Sequence, residues 1–286
     1  MKTRFLAYIS LTKPRLTLMA LATALSGYYL GSSGPLNFVS LLSVIVGAGL
    51  IGGGANALNQ YLEINQDALM LRTKKRPLPS SQLREQNAFF FGFLLAFAGI
   101  AVLYFLTTRI AAFLGLTTLL TYLLIYTPLK QKTWLNTFVG AISGALPTLI
   151  GWSAATDKLP DLKAWVLFLI LFTWQMPHFF AIAWVYREDY KNGGFQMLST
   201  IDLDGRRTRT QIALFSVLLF AASLLPVFVG LAGLLYFSAA FFTGILFLTF
   251  TLYAATHKIN YNKQIVGASI FYLAILNIFL CFDKIQ

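Results

Sequence analysis

Long apolar runs separated by short polar segments dominate the chain. A bilayer core about 30 Å thick needs roughly 20 apolar helical residues. The runs therefore predict about nine membrane-spanning helices, near residues 16–33, 37–58, 88–107, 110–127, 135–155, 164–185, 211–229, 231–255 and 264–281. The composition agrees, because 57% of the residues are hydrophobic, 11% are charged and the mean hydropathy is +0.70. These values lie outside the range of soluble domains and predict an all-α, polytopic membrane helical bundle.

The polar segments do not contain a separate soluble domain, so we predict a single transmembrane domain over residues 1–286. Two long polar loops lie four spans apart and suggest four-helix pseudo-repeats over about 16–127 and 135–255. This remains a hypothesis, because the sequence shows no detectable repeat. Residues 1–15 lack a small-residue cleavage pattern, which favours an interfacial helix over a cleaved signal.

The basic residues are distributed unevenly between the polar segments. Of the 22 Lys and Arg residues, all but Arg109, Lys158, Lys163 and Lys284 fall before span one or after spans two, four, six and eight. The positive-inside rule places these segments, which include Lys258, on the cytoplasmic side or on the matrix side of an organelle. Membrane orientation thus accounts for the net charge of +12 without a nucleic-acid partner. No long Arg- and Ser-rich leader is present, which favours a bacterial inner membrane.

The first polar cluster, residues 56–79, follows span two. Asn59, Glu63 and Asp67 stand four residues apart, so a continuing helix would place all three on one face. Oxygen ligands of this kind suit Mg²⁺, which usually lies between one or two carboxylates and a substrate phosphate. Arg72 and its basic neighbours follow directly and are suited to bind the phosphate oxygens.

The second polar cluster, residues 174–198, follows span six and has a similar arrangement. Asp189 lies between Arg187 and Lys191. Two acidic clusters on one membrane face predict metal ions that hold one diphosphate between them. An allylic diphosphate ionises only when the charge developing on its leaving oxygens is neutralised, and metal ions with Lys or Arg side chains do this.

These stretches resemble a known family. NQYLEINQDALMLRTKKRPLP is similar to the first motif of the UbiA-type intramembrane prenyltransferases. YTPLKQKTWLNTFVGAISGALPTLIGW and the WQMPHFF to DYKNGGFQML block are similar to those of the protohaem IX farnesyltransferase (haem O synthase) branch. The resemblance extends from Lys13 to Gln211.

The resemblance implies a magnesium-dependent farnesyl transfer. Farnesyl diphosphate would ionise, a vinyl group of protohaem IX (haem B) would attack the farnesyl cation, and water would add to give haem O. Mg²⁺ is the implied cofactor, and haem-handling or terminal-oxidase assembly proteins are implied partners. We expect a central cavity that is capped by the two long cytoplasmic loops and accommodates the prenyl chain beside membrane lipid.

The resemblance also assigns roles to particular residues. The implied metal and catalytic positions are Asn59, Glu63, Asp67 and Asp189. The implied diphosphate contacts are Arg72, Arg76, Lys130, Arg187 and Lys191. The chain departs from the family pattern at Gln60, where Asp is common, at Glu63, where Asp is commoner, and at Gly193, where a second acid often stands. These changes leave fewer carboxylates for a two-metal site at the second cluster.

Each of these residues also has a purely structural interpretation. The Arg72–Arg76 segment is also explained by membrane topology and lipid headgroup contact. Glu63 and Asp67 are also explained as a solvated first turn outside the membrane, and Glu188 by pairing with Arg187 or Lys191. His178 follows Pro177 inside span six. It is either a haem-iron ligand or a hydrogen-bond partner for a backbone carbonyl freed by the proline.

Two competing functions remain open from the sequence. A close relative would prenylate an aromatic acid or quinone precursor and be indifferent to haem. A transporter or non-catalytic haem-binding membrane protein would also carry intramembrane acids. The acids here cluster at one membrane face instead of at mid-membrane depth, which favours the enzyme.

Overall fold

The structure, a computed structural model, describes residues 2–257 and 262–285. Within these residues the fold is built from helices, in agreement with the predicted all-α bundle. In chain order they are α1 (Lys2–Leu11), α2 (Pro14–Gly31), α3 (Phe38–Leu62), α4 (Ile64–Leu69), α5 (Glu85–Leu106), α6 (Arg109–Leu120), a π-helical segment (Thr121–Tyr126), α7 (Thr127–Leu129), α8 (Asn136–Thr156), α9 (Leu162–Val185), α10 (Arg187–Asn192), α11 (Leu198–Ile201), α12 (Arg206–Phe228), α13 (Leu234–Thr256) and α14 (Asn262–Phe282).

Each of the predicted spans corresponds to a helical segment of this fold. Among the described residues, eight of these segments are long and apolar enough to cross a membrane. The first predicted span, α2, is a helix of 18 residues that is not among the eight. It begins with Pro14 and Arg15 and ends near Tyr28 and Tyr29, which makes it less apolar than the others.

Small residues allow the long helices to approach closely. A Cβ on Gly54 of α3 would lie 2.6 Å from the carbonyl oxygen of Gly92 in α5. A Cβ on Gly151 of α8 would overlap the carbonyl oxygen of Ala24 in α2. Packing of this kind replaces the hydrophobic driving force that is missing between helices in lipid.

The helix ends form two groups, as the predicted topology requires. At one end, Lys163 Nζ donates to Gly230 O at 3.0 Å, and Lys284 Nζ donates to Tyr29 O at 2.7 Å. At the other end, α4 and α10 lie side by side. Which end of the bundle faces the cytoplasm remains a prediction. The positive-inside rule predicts that Lys158 lies on the side opposite the cytoplasm. Lys258, one of the basic residues behind that prediction, lies outside the described residues.

The N-terminal helix α1 packs over the end of α3. Ala7 and Leu11 are buried in a cluster with Ala57, Leu78 and other apolar residues of this end. Because α1 and α2 are joined by Thr12 and Lys13 alone, this packing fixes Lys13 beside the end of α3. The same face of the bundle holds the first polar cluster.

Candidate functional site

The first polar cluster begins where helix α3 is interrupted. Glu63 has φ −107° and ψ 18° and separates α3 from α4, so the predicted continuous helix through Asp67 is wrong. The hydrogen bonds from Glu63 N to Asn59 O and from Asp67 N to Glu63 O are nevertheless retained, at 3.0 and 2.8 Å. The kink therefore keeps the four-residue spacing and leaves all three side chains buried.

Glu63 forms a buried ion pair with the cation from the loop after span four. Lys130 Nζ lies 2.8 Å from Glu63 Oε1, and the two side chains are 11% and 5% exposed. The ammonium also lies 4.5 Å from the centre of the Tyr126 ring. Burial lowers the pKa of Lys130, but Tyr126 and Glu63 outweigh burial and raise this pKa above its usual range. The ammonium of Lys130 is therefore held in its charged form beside the Glu63 carboxylate.

The π-helical segment Thr121–Tyr126 delivers Lys130 to this position. A π-turn adds a residue to the helical repeat and changes the direction in which the following side chains point, and such turns are frequent at functional sites. Tyr126 ends the segment and Lys130 follows four residues later, with Lys130 N donating to Tyr126 O at 3.2 Å. The irregular turn thus determines which side chains of span four reach Glu63.

Asp67 forms a second buried ion pair one helical turn further on. Arg76 Nη1 lies 2.6 Å from Asp67 Oδ2, and the Asp67 side chain is 1% exposed. The loop between them is folded back by Thr73, whose hydroxyl donates to Asp67 O at 2.8 Å. The second carboxylate oxygen, Asp67 Oδ1, is buried and has no hydrogen-bond partner. An unpaired buried carboxylate oxygen is costly, so Asp67 retains the capacity to bind another cation.

Asn59 completes the first cluster through two contacts. Its Oδ1 accepts from Lys13 Nζ at 3.2 Å, and its Nδ2 donates to Thr127 Oγ1 at 3.2 Å. Burial, Arg76 and Lys130 lower the pKa of Lys13 to about 7. The amide oxygen of Asn59 thus faces a cationic pocket that is shared with Glu63 and Asp67.

Asp189 of the second cluster joins the two clusters through the backbone. Its Oδ1 accepts from Leu71 N at 2.9 Å and its Oδ2 accepts from Arg72 N at 3.2 Å. The carboxylate therefore fixes the turn after α4, which leads to Thr73 and Arg76. The two polar clusters meet, as predicted, on one end of the bundle.

The remaining predicted diphosphate contacts lie around this turn. The Arg72 guanidinium lies 4.7 Å from the Tyr186 ring centre and 5.8 Å from that of Tyr190. Arg187 stacks on Trp184 at 4.6 Å. Its Nε lies 3.6 Å from Glu188 Oε1, so the structural interpretation of Glu188 as a partner of Arg187 is confirmed.

Lys191 and Gly193 occupy the outer part of the second cluster. Lys191 is exposed, and it takes part in none of the ion pairs found among the described residues. A Cβ on Gly193 would lie 3.0 Å from Met70 Cγ, so Met70 limits the space for a side chain at this position. Asp189 is thus the carboxylate that the second cluster contributes to the turn.

His178 lies inside α9, next to α14. Its Nδ1 lies 2.8 Å from Ser269 Oγ, and its ring stacks on Trp174 at 4.9 Å. Of the two interpretations left open by the sequence, a bond to a carbonyl freed by Pro177 is not the contact that Nδ1 makes, because the hydroxyl of Ser269 in α14 takes that place. Ser269 Oγ itself donates to Val266 O at 2.8 Å, which favours a proton on His178 Nδ1 and leaves Nε2 as the nitrogen with a free lone pair.

The oxygen atoms around Asn59, Glu63 and Asp67 determine whether the predicted magnesium site is feasible. No three His, Cys, Asp or Glu side chains gather into a metal-binding group within residues 2–257 and 262–285. Glu63 and Asp67 are paired with cations, and Asp189 is paired with backbone amides. The donor set still fits a hard cation, because all the available ligand atoms are oxygens and Asp67 Oδ1 is an unpartnered, buried one.

Lys13 and Thr127 contact Asn59, but the sequence did not identify either of them as a site residue. In the sequence, Lys13 is one of several basic residues before the first span, and Thr127 is an ordinary threonine at the end of an apolar run. A lysine directly before the first span and a threonine three residues before Lys130 were the only signals. Neither is specific without the packing of α1 and the π-helical segment.

The chain is similar to a family of known proteins over most of its length. Residues 20–278 match the model of the UbiA prenyltransferase family. A protein of Solibacter usitatus named protoheme IX farnesyltransferase is 40% identical, over 97% of this chain and 98% of its own length. A protein of Opitutus terrae with the same name is 41% identical, over 86% of this chain and 82% of its own length.

Solved structures show the same fold at low sequence identity. The structure of a digeranylgeranylglyceryl phosphate synthase superposes with a TM-score of 0.82 at 18% identity, over 99% of both chains. A UbiA homologue from Archaeoglobus fulgidus bound to DMAPP and Mg²⁺ gives a TM-score of 0.68 at 14% identity, over 95% of this chain and 99% of that one. From the family match and the relatives together, the chain belongs to the UbiA prenyltransferase family.

Proposed function

We propose that the protein transfers the farnesyl group of farnesyl diphosphate to a vinyl group of protohaem IX (haem B), with addition of water, to give haem O. The names of relatives that are about 40% identical over most of their length support this substrate pair. The structural observation that carries the proposal is the pair of buried carboxylate–cation contacts, Glu63 with Lys130 and Asp67 with Arg76. Together they provide carboxylates for a metal ion and cations for a diphosphate at one end of an apolar helical bundle.

The diphosphate would bind between the two polar clusters. Lys130 and Arg76 already lie within hydrogen-bond distance of the carboxylates, so a small rearrangement would turn their N–H groups towards phosphate oxygens. Arg72 is held nearby on Tyr186 by the turn that Asp189 anchors. Guanidinium groups bind phosphate oxygens in pairs of parallel hydrogen bonds. We assign Arg187 and Lys191 to the outer edge of the same site.

Asn59, Glu63 and Asp67 would hold Mg²⁺, with Asp189 on the opposite side of the diphosphate. When bound, Mg²⁺ supplies Lewis-acid neutralisation of the diphosphate oxygens. The remainder of the charge balance would come from Lys130 and Arg76, which now pair with Glu63 and Asp67 and would pair with phosphate oxygens when those carboxylates hold Mg²⁺. Every buried charge then has a partner in both states, which avoids the cost of an isolated buried ion.

In the proposed reaction the bond between C1 of the farnesyl group and the diphosphate oxygen breaks, and both electrons leave with the diphosphate. Lys130, Arg76 and Arg72 stabilise the negative charge that develops there. The π electrons of the haem vinyl group then form the bond to C1. Water adds to the carbon next to the porphyrin ring and loses a proton, so haem B, farnesyl diphosphate and water give haem O and diphosphate.

We assign the protein to a bacterial inner membrane with this mouth facing the cytoplasm. The basic residues of the even-numbered loops support that orientation. Farnesyl diphosphate has a charged, water-soluble diphosphate head and an apolar chain. Because the head stays in water, the molecule would reach the site from the cytoplasmic side. Haem-handling or terminal-oxidase assembly proteins would supply haem B and accept haem O.

The test is product formation by the protein in membranes. Membranes containing the protein, given haem B, farnesyl diphosphate and Mg²⁺, should accumulate a haem that is heavier by one farnesyl group and one hydroxyl group. Membranes without the protein serve as the control for endogenous activity. Turnover of hydroxybenzoate or naphthoate, with no haem product from folded protein, would overturn the proposal in favour of an aromatic prenyltransferase.

A further inference from the structure

A basic pocket lies next to the candidate diphosphate site and has no role in it. The pocket has a volume of about 360 Å³, which falls in the range of roughly 300–1,000 Å³ typical of small-molecule sites. It is lined by one aromatic residue, one aliphatic residue and four polar or basic residues: Trp134, Leu198, Arg206, Arg207, Thr210 and Gln211. An apolar wall thus faces two guanidinium groups.

The two arginines are available for a ligand. None of the ion pairs formed by the described part of the chain includes Arg206 or Arg207, and both residues are exposed. Arg209, one turn further along, uses its guanidinium to donate to Asp204 O at 3.2 Å. Arg206 and Arg207 therefore present unpaired positive charge at the pocket.

The turn before α12 is fixed in a way that presents these side chains. Asp202 is buried, and its Oδ2 accepts from Thr208 N at 2.7 Å and from Thr208 Oγ1 at 2.8 Å. Asp204 Oδ1 accepts from Arg206 N at 3.0 Å. These two carboxylates occupy backbone amides of the first turn of α12, so the affinity of the pocket for an anion resides in the guanidinium groups and not in the helix end.

The pocket is connected to the candidate diphosphate site through one pair of hydrogen-bonded segments. Gln196 N donates to Lys130 O at 2.7 Å, and Asn136 Nδ2 donates to Gln196 O at 3.2 Å. Lys130 extends from these segments to Glu63, whereas Trp134 and Leu198 extend from them to the pocket. A molecule in the pocket therefore lies beside the turn that holds the proposed diphosphate ligand.

We propose that this pocket binds the propionate carboxylates of haem B, with Arg206 and Arg207 pairing the carboxylates and Trp134 contacting the porphyrin edge. The inference rests on the proposed function, because it gives a position to the acceptor substrate of that reaction. Haem B is flat and apolar over most of its surface and carries two carboxylates on one edge. That edge matches a pocket with one aromatic wall and two guanidinium groups at the membrane surface, where the carboxylates stay near water.

The test is a comparison of two acceptors with two paired variants. The pocket variant is R206Q/R207Q, and the control variant is R84Q/K263Q, which removes two exposed positive charges outside the pocket. The acceptors are haem B and its dimethyl ester, in which both propionates are neutral. KM for each acceptor, KM for farnesyl diphosphate and the thermal midpoint are measured for the purified protein.

We expect R206Q/R207Q to raise the KM for haem B by roughly tenfold or more, the loss expected when charge-assisted hydrogen bonds are removed. The KM for the dimethyl ester should already be high in the unsubstituted protein and should not change in the variant. The control variant should leave both values unchanged. An equal rise for both acceptors, or no rise for haem B, would overturn the proposal and leave the two arginines as topology and headgroup contacts.

Direct haem binding, followed by the Soret absorption, separates this inference from the proposed function. Haem binding that depends on Arg206 and Arg207 in a protein that makes no haem O would support the pocket and refute the reaction. Haem O synthesis with unchanged haem affinity in R206Q/R207Q would support the reaction and refute the pocket. No haem binding by folded protein would refute both.

Discussion

Lys130 Nζ lies 2.8 Å from Glu63 Oε1, so a proposed phosphate-binding cation neutralises a proposed metal ligand. Arg76 and Asp67 repeat the relationship one turn further on. Both pairs are mostly buried, where an unpaired charge would be expensive. The structure therefore holds the binding groups as partners of one another, and the proposed metal–diphosphate complex would exchange these partners.

The first prediction concerns the contribution of Lys130 to stability. Lys130→Met removes the ammonium and leaves the Glu63 carboxylate buried without its partner. Breaking a buried ion pair on one side costs roughly 3–5 kcal/mol. We expect a lower thermal midpoint in detergent together with the loss of farnesyl transfer.

The double variant K130M/E63Q separates the two effects of that substitution. With both charges removed, no uncompensated ion remains, so most of the thermal stability should return while activity stays absent. Recovery of activity along with stability would contradict a direct role of the pair at the diphosphate.

The second prediction concerns the metal requirement at Asp67. Asp67→Asn preserves the size of the side chain but removes the charge that pairs with Arg76 and the free oxygen Oδ1. We expect turnover to fall about a hundredfold or more. We also expect the Mg²⁺ concentration that gives half-maximal rate to rise.

Asp157→Asn is the matched control for Asp67→Asn. Asp157 is exposed, lies at the C-terminal end of α8 and has φ 53°, a conformation that Asn also tolerates. Its replacement should leave both the rate and the Mg²⁺ dependence unchanged. A comparable loss in both variants would indicate a general effect of surface charge.

The third prediction distinguishes two roles of Asp189. Asp189→Asn keeps one acceptor for Leu71 N or Arg72 N and loses the other, so the turn that carries Arg72 becomes less fixed. We expect the KM for farnesyl diphosphate to rise about tenfold, the effect of one charge-assisted hydrogen bond.

Measuring the KM for farnesyl diphosphate at several Mg²⁺ concentrations also shows whether Asp189 binds the metal. If Asp189 also binds the metal, the half-saturating Mg²⁺ concentration rises in the variant. The neighbouring Glu188→Gln, which loses only a 3.6 Å contact to Arg187, should change neither value. An unaltered KM in Asp189→Asn would refute the anchoring role.

The fourth prediction concerns His178. Its Nδ1 is held by Ser269, so haem iron would bind through Nε2. If His178 is a haem ligand, His178→Ala should weaken haem binding in a Soret titration and leave the KM for farnesyl diphosphate unchanged. Ser269→Ala, which keeps the imidazole but loses its hydrogen bond, should have a smaller effect. Unchanged haem affinity in His178→Ala would limit the residue to packing between α9 and α14.

The sequence predicted the spans and the meeting of the two clusters because both depend on strong, local signals. Apolar runs of about 20 residues predict helices without any knowledge of their partners. Loops after even-numbered spans must share one end of the bundle, so Asp189 and Asp67 had to lie on the same side. The resemblance to a family added the position of Lys130.

The partners of these side chains were not predictable from the sequence. The break at Glu63 contains neither proline nor glycine, and the π-helical segment before Lys130 reads as an ordinary apolar run. The bond between Lys13 and Asn59 joins residues 46 positions apart and depends on how α1 packs. Such long-range contacts arise from tertiary packing, and the periodicity and spacing of residues along the sequence contain no information about it.

The most direct test of the central claim is Mg²⁺-dependent binding of a non-reacting farnesyl diphosphate analogue, measured by calorimetry on the purified protein and on E63Q/D67N. We predict that the unsubstituted protein binds the analogue tightly only when Mg²⁺ is present and that E63Q/D67N shows no Mg²⁺-dependent gain. Equal, Mg²⁺-dependent affinity in both proteins would contradict a metal-held diphosphate at Glu63 and Asp67.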